Sequence, residues 1–320
     1  MSPIFVVGVG RSGTTLLVNL LGCHPLLSPI YETAFLRNLL MLCESASWFW
    51  GNSPSRRLGA LIPGYPQRFL LSRCEKYRKK CEEFRSFIRS LPPPAERREQ
   101  GVRQKYEVFP FENQALLFNM DELIKEMEAF LQVLVAGPRN EVEIYALARS
   151  AIDRQFSEHC ARAQKAHWVN KTPRLLLSLD LLPKLYPGAK CIHIVRDGRD
   201  VAASFRTLSW GPRDVRQAAR RWRDRLSQRK RFDSRRLSYL EVHYEDLIKA
   251  PSEKLEMIMR FLELEGSTED VVGRLPIYNY RVGAWRTAFS LNERKAFDQE
   301  AGELLIELGY EKDHSWICRP

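Results

Sequence analysis

Long hydrophobic runs are missing from this chain. None of its 320 residues lies in an uninterrupted apolar stretch of about 18, the length that a membrane-spanning helix requires. The first apolar segment begins at Ile4, too close to the start of the sequence for a signal peptide to precede it. We therefore expect a cytoplasmic protein, unless an N-terminal leader or anchor has been removed. Because 44% of the residues are hydrophobic, the chain can bury one large core.

Closely spaced metal ligands are also missing. The six histidines form no His-x-x-x-His pair, and the seven cysteines include no Cys-x-x-Cys. We therefore expect no metal. The odd, scattered set of cysteines favours a reducing compartment.

Acidic residues are fewer than basic ones, 39 against 50, which gives a net charge of +11. Much of the excess lies in the segment Arg213–Arg236, with eleven basic residues and three aspartates. Such a segment could bind nucleic acid. We expect instead a solvated helix face with Trp222 and Leu226 pointing inward, because no RNA- or DNA-binding motif with interleaved aromatic residues accompanies it.

The most informative segment is residues 4–15, an apolar strand followed by the turn Gly8-Val-Gly-Arg-Ser-Gly13 and two threonines. Glycines let a backbone approach a ligand, and a helix from about Gly13 would present its free amides and dipole to a phosphate-like anion. The same glycines fit the dinucleotide-binding pattern, a weak signal on its own. They also fit a P-loop, but Thr14 stands where the phosphate-binding lysine is required, so a working NTPase is not expected.

A second segment repeats the order of strand, charged turn and helix. The apolar run Lys190–Val195 ends in Arg196-Asp-Gly-Arg-Asp200, and a helical sequence containing Ser204 follows. The turn could be no more than a capped, salt-bridged structure. An arginine fork beside a serine hydroxyl also suits a terminal phosphate.

Together the two segments resemble the sulfotransferases that use 3'-phosphoadenosine 5'-phosphosulfate (PAPS). This resemblance implies that PAPS is the co-substrate and that Tyr244, in Val242–Leu247, lies near the adenine. It further implies two phosphate-binding groups: Arg11, Ser12, Gly13, Thr14 and Thr15 for the 5' end, and Arg196, Ser204 and Arg281 for the 3'-phosphate.

Within that family the chain is most similar to the branch of tyrosylprotein sulfotransferases and related bacterial enzymes. The resemblance implies that Glu32 is the catalytic base, although a glutamate there could also stabilise the first turn of a helix beginning near Thr33. His24 is the rival base, and its place before Pro25 at a helix end favours a structural role. Lys171 and Arg11 would stabilise the charge that develops during transfer; Lys171 could equally be a solvated charge.

We expect one α/β domain over residues 1–320, with the P-loop-like three-layer fold, a central, mainly parallel sheet and a helical acceptor-side insertion at about 36–166. The predicted strands lie near residues 4–9, 167–170, 190–195 and 239–243. The spacing of apolar residues after Phe35 predicts a helix, which Trp48–Trp50 would interrupt.

The predicted reaction is transfer of a sulfuryl group from PAPS to an acceptor hydroxyl or amine, on a small molecule, glycan, lipid or peptide tyrosine. The basic surface could select acidic acceptors. The alternatives are a nucleotide-dependent kinase on a degenerate P-loop and a non-catalytic protein that binds PAPS or nucleic acid. The sequence leaves the acceptor and the oligomeric state open.

Overall fold

A computed structural model describes residues 2–31, 34–50, 120–136, 140–206, 211–230, 235–275 and 281–319, with isolated positions at 68, 71, 72, 75, 79, 82, 208, 232, 277 and 279. The chain forms two compact units. Unit 1 comprises residues 1–3, 25–172 and 180–189, and unit 2 comprises residues 4–24, 173–179 and 190–320.

A five-stranded parallel sheet with strand order β2-β3-β1-β4-β5 is the centre of the fold, which confirms the predicted α/β class. The strands are β1 (Ile4–Gly8), β2 (Leu27–Ile30), β3 (His167–Lys171), β4 (Lys190–Val195) and β5 (Ser238–His243). Every residue of β1 and β4 is buried. Continuous burial of this kind is typical of parallel strands that are covered on both faces.

The α-helices of the described residues are short to medium in length. They are α1 (Thr14–Gly22), α2 (Ala34–Trp50), α3 (Met120–Ala136), α4 (Glu141–Arg162), α5 (Leu182–Leu185), α6 (Gly198–Phe205), α7 (Val215–Leu226), α8 (Tyr244–Lys249), α9 (Pro251–Leu262), α10 (Thr268–Val272), α11 (Trp285–Ala288) and α12 (Leu291–Glu307). Single 3-10 helices cover Pro173–Ser178, Ser227–Lys230 and His314–Cys318. No helix in this described part of the chain has both the length and the apolar character needed to cross a membrane.

In unit 2, β4 pairs with both β1 and β5. Gly8 lies opposite Ile194, and Val195 lies opposite His243, so the three strands end at the same edge of the sheet. Ligands of open α/β sheets bind at this carboxyl edge. The register therefore brings together the three segments that follow these strands, which begin at Val9, Arg196 and Tyr244.

The core of unit 2 continues between α7 and α12. Trp222 and Leu226 of α7 are fully buried, as the sequence predicts, and the Trp222 ring packs on Phe297 of α12 with 6.0 Å between ring centroids. Asp214 caps α7 by accepting from the amide of Gln217. α7 is therefore amphipathic, with its apolar face in the core and its basic face outside.

Unit 1 contains β2 and β3 with α2 to α5. Asn140 caps α4, the longest of these helices, by accepting from the amide of Glu143. Trp168 of β3 packs edge-on against Phe156 of α4, with 4.9 Å between the ring centroids. The core of this unit therefore lies between α4 and the strand pair.

Two details of the predicted elements are wrong. The strand β2 is absent from the prediction, because it is only four residues long and contains Pro29. It lies at the end of the strand order, where a proline is tolerated. The interruption expected at Trp48–Trp50 does not occur, since α2 continues through Trp50.

The predicted insertion at 36–166 includes α2, α3 and α4, and most of the chain between α2 and α3 lies outside the described residues. The organisation of residues 1–320 as one domain stays a prediction.

Candidate functional site

The turn after β1 carries the first group of predicted site residues. Arg11 and Gly13 have φ angles of 74° and 95°, in the left-handed region. Gly13 is the N-cap residue of α1, no side chain caps this helix, and its first turn contains no acidic residue. The hydroxyl oxygen of Ser12 is buried and has no hydrogen-bond partner. Uncapped first-turn amides and the positive end of the helix dipole favour an anion, so this end of α1 suits a phosphate or sulfate group.

Two of the three glycines in this turn are required by packing within the chain. A Cβ atom at Gly13 would lie 2.4 Å from Cδ2 of Tyr244, and one at Gly8 would lie 2.7 Å from the carbonyl oxygen of Ile194. The nearest atom to a Cβ at Gly10 would be Cζ of Phe205 at 3.8 Å, an ordinary contact. The turn therefore packs closely against β4 and Tyr244, and Gly10 faces Phe205.

The substitution Gly13→Ala is expected to lower the free energy of unfolding by about 2–4 kcal/mol, through the left-handed backbone and the collision with Tyr244. Gly10→Ala is the matched control and should stay within about 0.5 kcal/mol of the wild type. Urea unfolding of the two variants measures the difference. Equal stability of the two variants would show that Gly13 is not constrained as described.

Three arginines meet at this turn, one of which, Arg11, belongs to it. Arg11 donates from Nε to Oγ of Ser204, at 2.9 Å. Arg196 donates from Nη1 to the carbonyl oxygen of Arg11, at 3.0 Å, and from Nη2 to that of Arg281, at 2.6 Å. Its guanidinium also lies over the ring of Tyr244, 4.5 Å from the centroid. The predicted residues Arg11, Arg196, Ser204, Tyr244 and Arg281 therefore form one cluster in unit 2.

The electrostatics of the cluster favour an anion. Burial lowers the pKa of Arg11, and the charges of Arg281 and Arg196 lower it further. The carboxylate of Asp200 lies beside Arg196, with 3.9 Å between Oδ2 and Nη2. Three mutually repelling guanidinium groups around an uncapped helix end would be stabilised by a bound phosphate or sulfate.

Asp200 also anchors the turn that carries Arg281. Its two carboxylate oxygens accept from the backbone amides of Gly283 and Trp285, at 2.8 and 3.0 Å. Burial raises the pKa of Asp200, and these two amides and the charge of Arg196 only partly oppose this shift. This acid therefore holds residues 281–285 beside the arginine cluster.

The two arginines of the segment Arg196–Asp200 have different roles. Arg199 is fully buried between the rings of Trp285 and Trp316, at 4.0 and 4.6 Å from its Cζ atom. It pairs with Asp197, which also caps α6, and with Glu311. Arg199 therefore forms the salt-bridged turn, and Arg196 belongs to the arginine cluster.

Tyr244 is the first residue of α8 and is buried beneath Arg196. Burial raises the pKa of its hydroxyl, and the charges of Arg196 and Arg281 oppose this shift. Its ring touches both Gly13 and the Arg196 guanidinium, so Tyr244 shapes the arginine cluster. Its contact with adenine stays a prediction.

The remaining predicted site residues fall into three cases. Thr14 is buried and Thr15 is half-buried, both in the first turn of α1. Lys171 is the last residue of β3 in unit 1 and is buried. Glu32 lies outside the described residues.

The rival base His24 has a structural partner. Its side chain is buried, and Nε2 lies 2.9 Å from the carbonyl oxygen of Glu265, so this nitrogen donates its proton to the backbone. Because one ring nitrogen is engaged in unit 2, the structural interpretation of His24 is favoured.

Comparison with known proteins decides the family. The family model described as "Sulfotransferase family" matches residues 3–62 and 98–270. The chain belongs to the sulfotransferase family. The sulfotransferase is 24% identical to the nodulation protein NoeE of Sinorhizobium fredii, over 58% of this chain and 54% of NoeE. It thus spans about half the length of this curated relative.

Solved structures of sulfotransferases resemble this chain with low sequence identity and TM-scores below 0.5. Sulfotransferase STF9 from Mycobacterium avium superposes with a TM-score of 0.48 and 15% identity, over 95% of this chain and 76% of that one. The sulfotransferase domain of a Synechococcus olefin synthase gives 0.43 and 21%, over 93% and 94% of the two chains.

The sequence interpretation missed two residues that support this cluster. Asp200 holds the turn of Arg281, and Glu311 pairs with Arg199. Asp200 lies within a segment already identified as functional, so its charge was a usable signal. Glu311 is 112 residues from its partner, and no sequence pattern connects the two.

Proposed function

We propose that this sulfotransferase transfers a sulfuryl group from PAPS to an acceptor hydroxyl or amine and releases adenosine 3',5'-bisphosphate (PAP). The observation that carries the proposal is the cluster of Arg11, Arg196 and Arg281 beside the uncapped end of α1. PAPS has a phosphate on the 3' oxygen and a phosphosulfate on the 5' oxygen. Such a molecule needs two groups of cationic and amide donors, and the proposal draws both from unit 2.

The residues divide between the two ends of the donor. In the proposal, Arg11 and the first turn of α1, with Ser12, Gly13, Thr14 and Thr15, hold the 5' end. Arg196, Ser204 and Arg281 hold the 3'-phosphate. The buried, unpartnered Oγ of Ser12 and Nε of Arg196 fit this assignment, because buried polar atoms are normally hydrogen-bonded and a bound phosphate supplies acceptors.

The chemistry needs a base and a source of positive charge. The acceptor oxygen or nitrogen forms a bond to sulfur, the bond from sulfur to the 5'-phosphate oxygen breaks, and Glu32 takes the acceptor proton. Charge then collects on the departing phosphate, where Arg11 and Lys171 stabilise it. Loss of one such donor costs about 3 kcal/mol in comparable sites. The roles of Glu32 and Lys171 rest on the sequence resemblance, and location in the cytoplasm also stays a prediction.

Calorimetric titration with PAP, ATP and NAD tests the donor. We expect one PAP to bind per chain, at least about tenfold more tightly than ATP or NAD, a difference of about 1.4 kcal/mol. The affinity should not depend on magnesium. Tighter binding of ATP that requires magnesium would indicate the kinase, and tighter binding of NAD would indicate a dinucleotide site.

A further inference from the structure

Most basic residues of α7 contact one acidic residue of α12. Arg216, Arg220 and Arg223 all contact the carboxylate of Glu300, and Arg220 donates to it at 2.7 Å. Arg220 is the main reason that the pKa of Glu300 is lowered to about 2. Glu300 therefore pairs with all three of these arginines within unit 2.

Arg221 lies outside this ion-pair network. Its guanidinium lies over the ring of Phe205, with 5.2 Å between Cζ and the ring centroid. Its Nε atom is buried and has no hydrogen-bond partner. Within the described residues, no carboxylate pairs with Arg221, although the neighbouring Arg220 and Arg223 both have one.

A second arginine lies on the element that packs against α7. Arg174 is exposed on the 3-10 helix Pro173–Ser178, which packs against α7 in unit 2. Burial lowers the pKa of Arg221, and the charge of Arg174 lowers it further. Two like charges that approach each other without an acid between them repel, and a bound anion would remove this repulsion.

The pair adjoins the turn after β1. Phe205, which supports Arg221, follows Ser204, and the hydroxyl of Ser204 accepts from Arg11. Phe205 is also the residue that faces Gly10. The Phe205 side chain therefore lies next to both Arg221 and Gly10, in the turn that holds the 5'-phosphosulfate in the proposed function.

We infer that Arg174 and Arg221 form an anion subsite that holds a negatively charged group of the acceptor. The inference rests on the proposed function, in which both phosphate-bearing ends of the donor already have their own residues. A guanidinium pair binds carboxylate, phosphate or sulfate through paired hydrogen bonds. The Phe205 ring supplies an apolar surface for the body of the molecule. The acceptor class is thus a hydroxyl or amine compound that carries an anionic group.

The test compares two phenols that differ only in charge, para-hydroxybenzoate and para-hydroxybenzamide. Each is titrated calorimetrically, at low ionic strength, into the protein saturated with PAP. The wild type is expected to bind the carboxylate at least about tenfold more tightly, or about 1.4 kcal/mol. Arg221→Gln and Arg174→Gln should each reduce this preference. The double variant should abolish it.

Arg220→Gln is the matched control, one position away on α7 and already paired with Glu300. It should keep the full preference, and Arg221→Lys should keep part of it because the charge remains. Equal binding of the two phenols, or binding of neither, would overturn the subsite. So would a tenfold loss of PAP affinity in Arg221→Gln, which would assign the arginine to the donor.

Failure of PAP to bind would contradict the proposed function instead. The two phenols are then titrated into the protein alone. A preference for the carboxylate that Arg221→Gln removes and Arg196→Ala leaves intact would still support the anion subsite, and any other result would overturn it.

Discussion

Arg196→Ala is expected to weaken PAP binding by more than about a hundredfold. In the proposal, its planar guanidinium binds the 3'-phosphate through charge-assisted hydrogen bonds, and a loss of about 3 kcal/mol corresponds to such a change. The side chain also holds the backbone oxygens of Arg11 and Arg281, so its removal loosens both neighbours. Calorimetric titration of PAP into the variant measures the loss.

Two further variants show whether a loss of PAP affinity comes from the lost guanidinium of Arg196 or from a disturbed fold. Arg206→Ala removes an exposed arginine just beyond the end of α6, the helix that begins two residues after Arg196, where it pairs with Glu293. PAP affinity should stay within about twofold of the wild type, since exposed ion pairs contribute little. Arg196→Lys keeps the charge and loses the planar fork, so an intermediate affinity is expected. An unchanged PAP affinity in Arg196→Ala, with the fold intact, would remove Arg196 from the donor site.

Glu32→Gln is expected to reduce the rate of transfer by about a hundredfold to ten-thousandfold, the usual contribution of a general base. Glutamine has nearly the same size but cannot take a proton from the acceptor. PAP affinity should remain unchanged, because Glu32 is assigned no contact with the donor. Turnover with a saturating acceptor and titration with PAP give the two readouts.

The matched control for Glu32 is His24→Gln. The amide of glutamine can replace the hydrogen bond from Nε2 of His24 to the carbonyl oxygen of Glu265, so the local structure should survive. Turnover of this variant should stay close to that of the wild type. The reverse pattern, with His24→Gln inactive and Glu32→Gln active, would make His24 the base.

The residues nearest the sheet were the most predictable part of the molecule. The buried runs of β1 and β4 are mainly apolar segments, and each leads into a turn rich in glycine or charge, so both strand and turn are visible in the sequence. The convergence of Arg11 and Arg196 follows from the parallel register, which aligns Gly8 with Ile194.

Other features depend on contacts that a linear pattern does not encode. The sequence of Arg196–Asp200 contains two arginines, and only the packing of Trp285 and Trp316 decides that Arg199 is the structural one. The short strand β2 carries Pro29, and its place at the end of the strand order permits this.

The basic segment Arg213–Arg236 shows the same limit. Its charge is visible in the sequence, but the carboxylate that pairs with three arginines of α7 lies about 80 residues further along the chain, at Glu300 on α12. Net charge therefore overstated the surface that is open to a polyanion. Arg221 is identified only from the structure, in which Arg220 and Arg223 each pair with a carboxylate and Arg221, among the described residues, does not.

Transfer of a radiolabelled sulfuryl group from PAPS tests the central claim most directly. The purified chain is incubated with labelled PAPS and matched neutral and anionic acceptors, without added metal and with chelator, beside Glu32→Gln. We expect labelled product and PAP to form in equal amounts, only when an acceptor is present, and far more slowly with the variant. Tight PAP binding without acceptor-dependent turnover, or label transfer that is equal in the wild type and Glu32→Gln, would contradict the proposed mechanism.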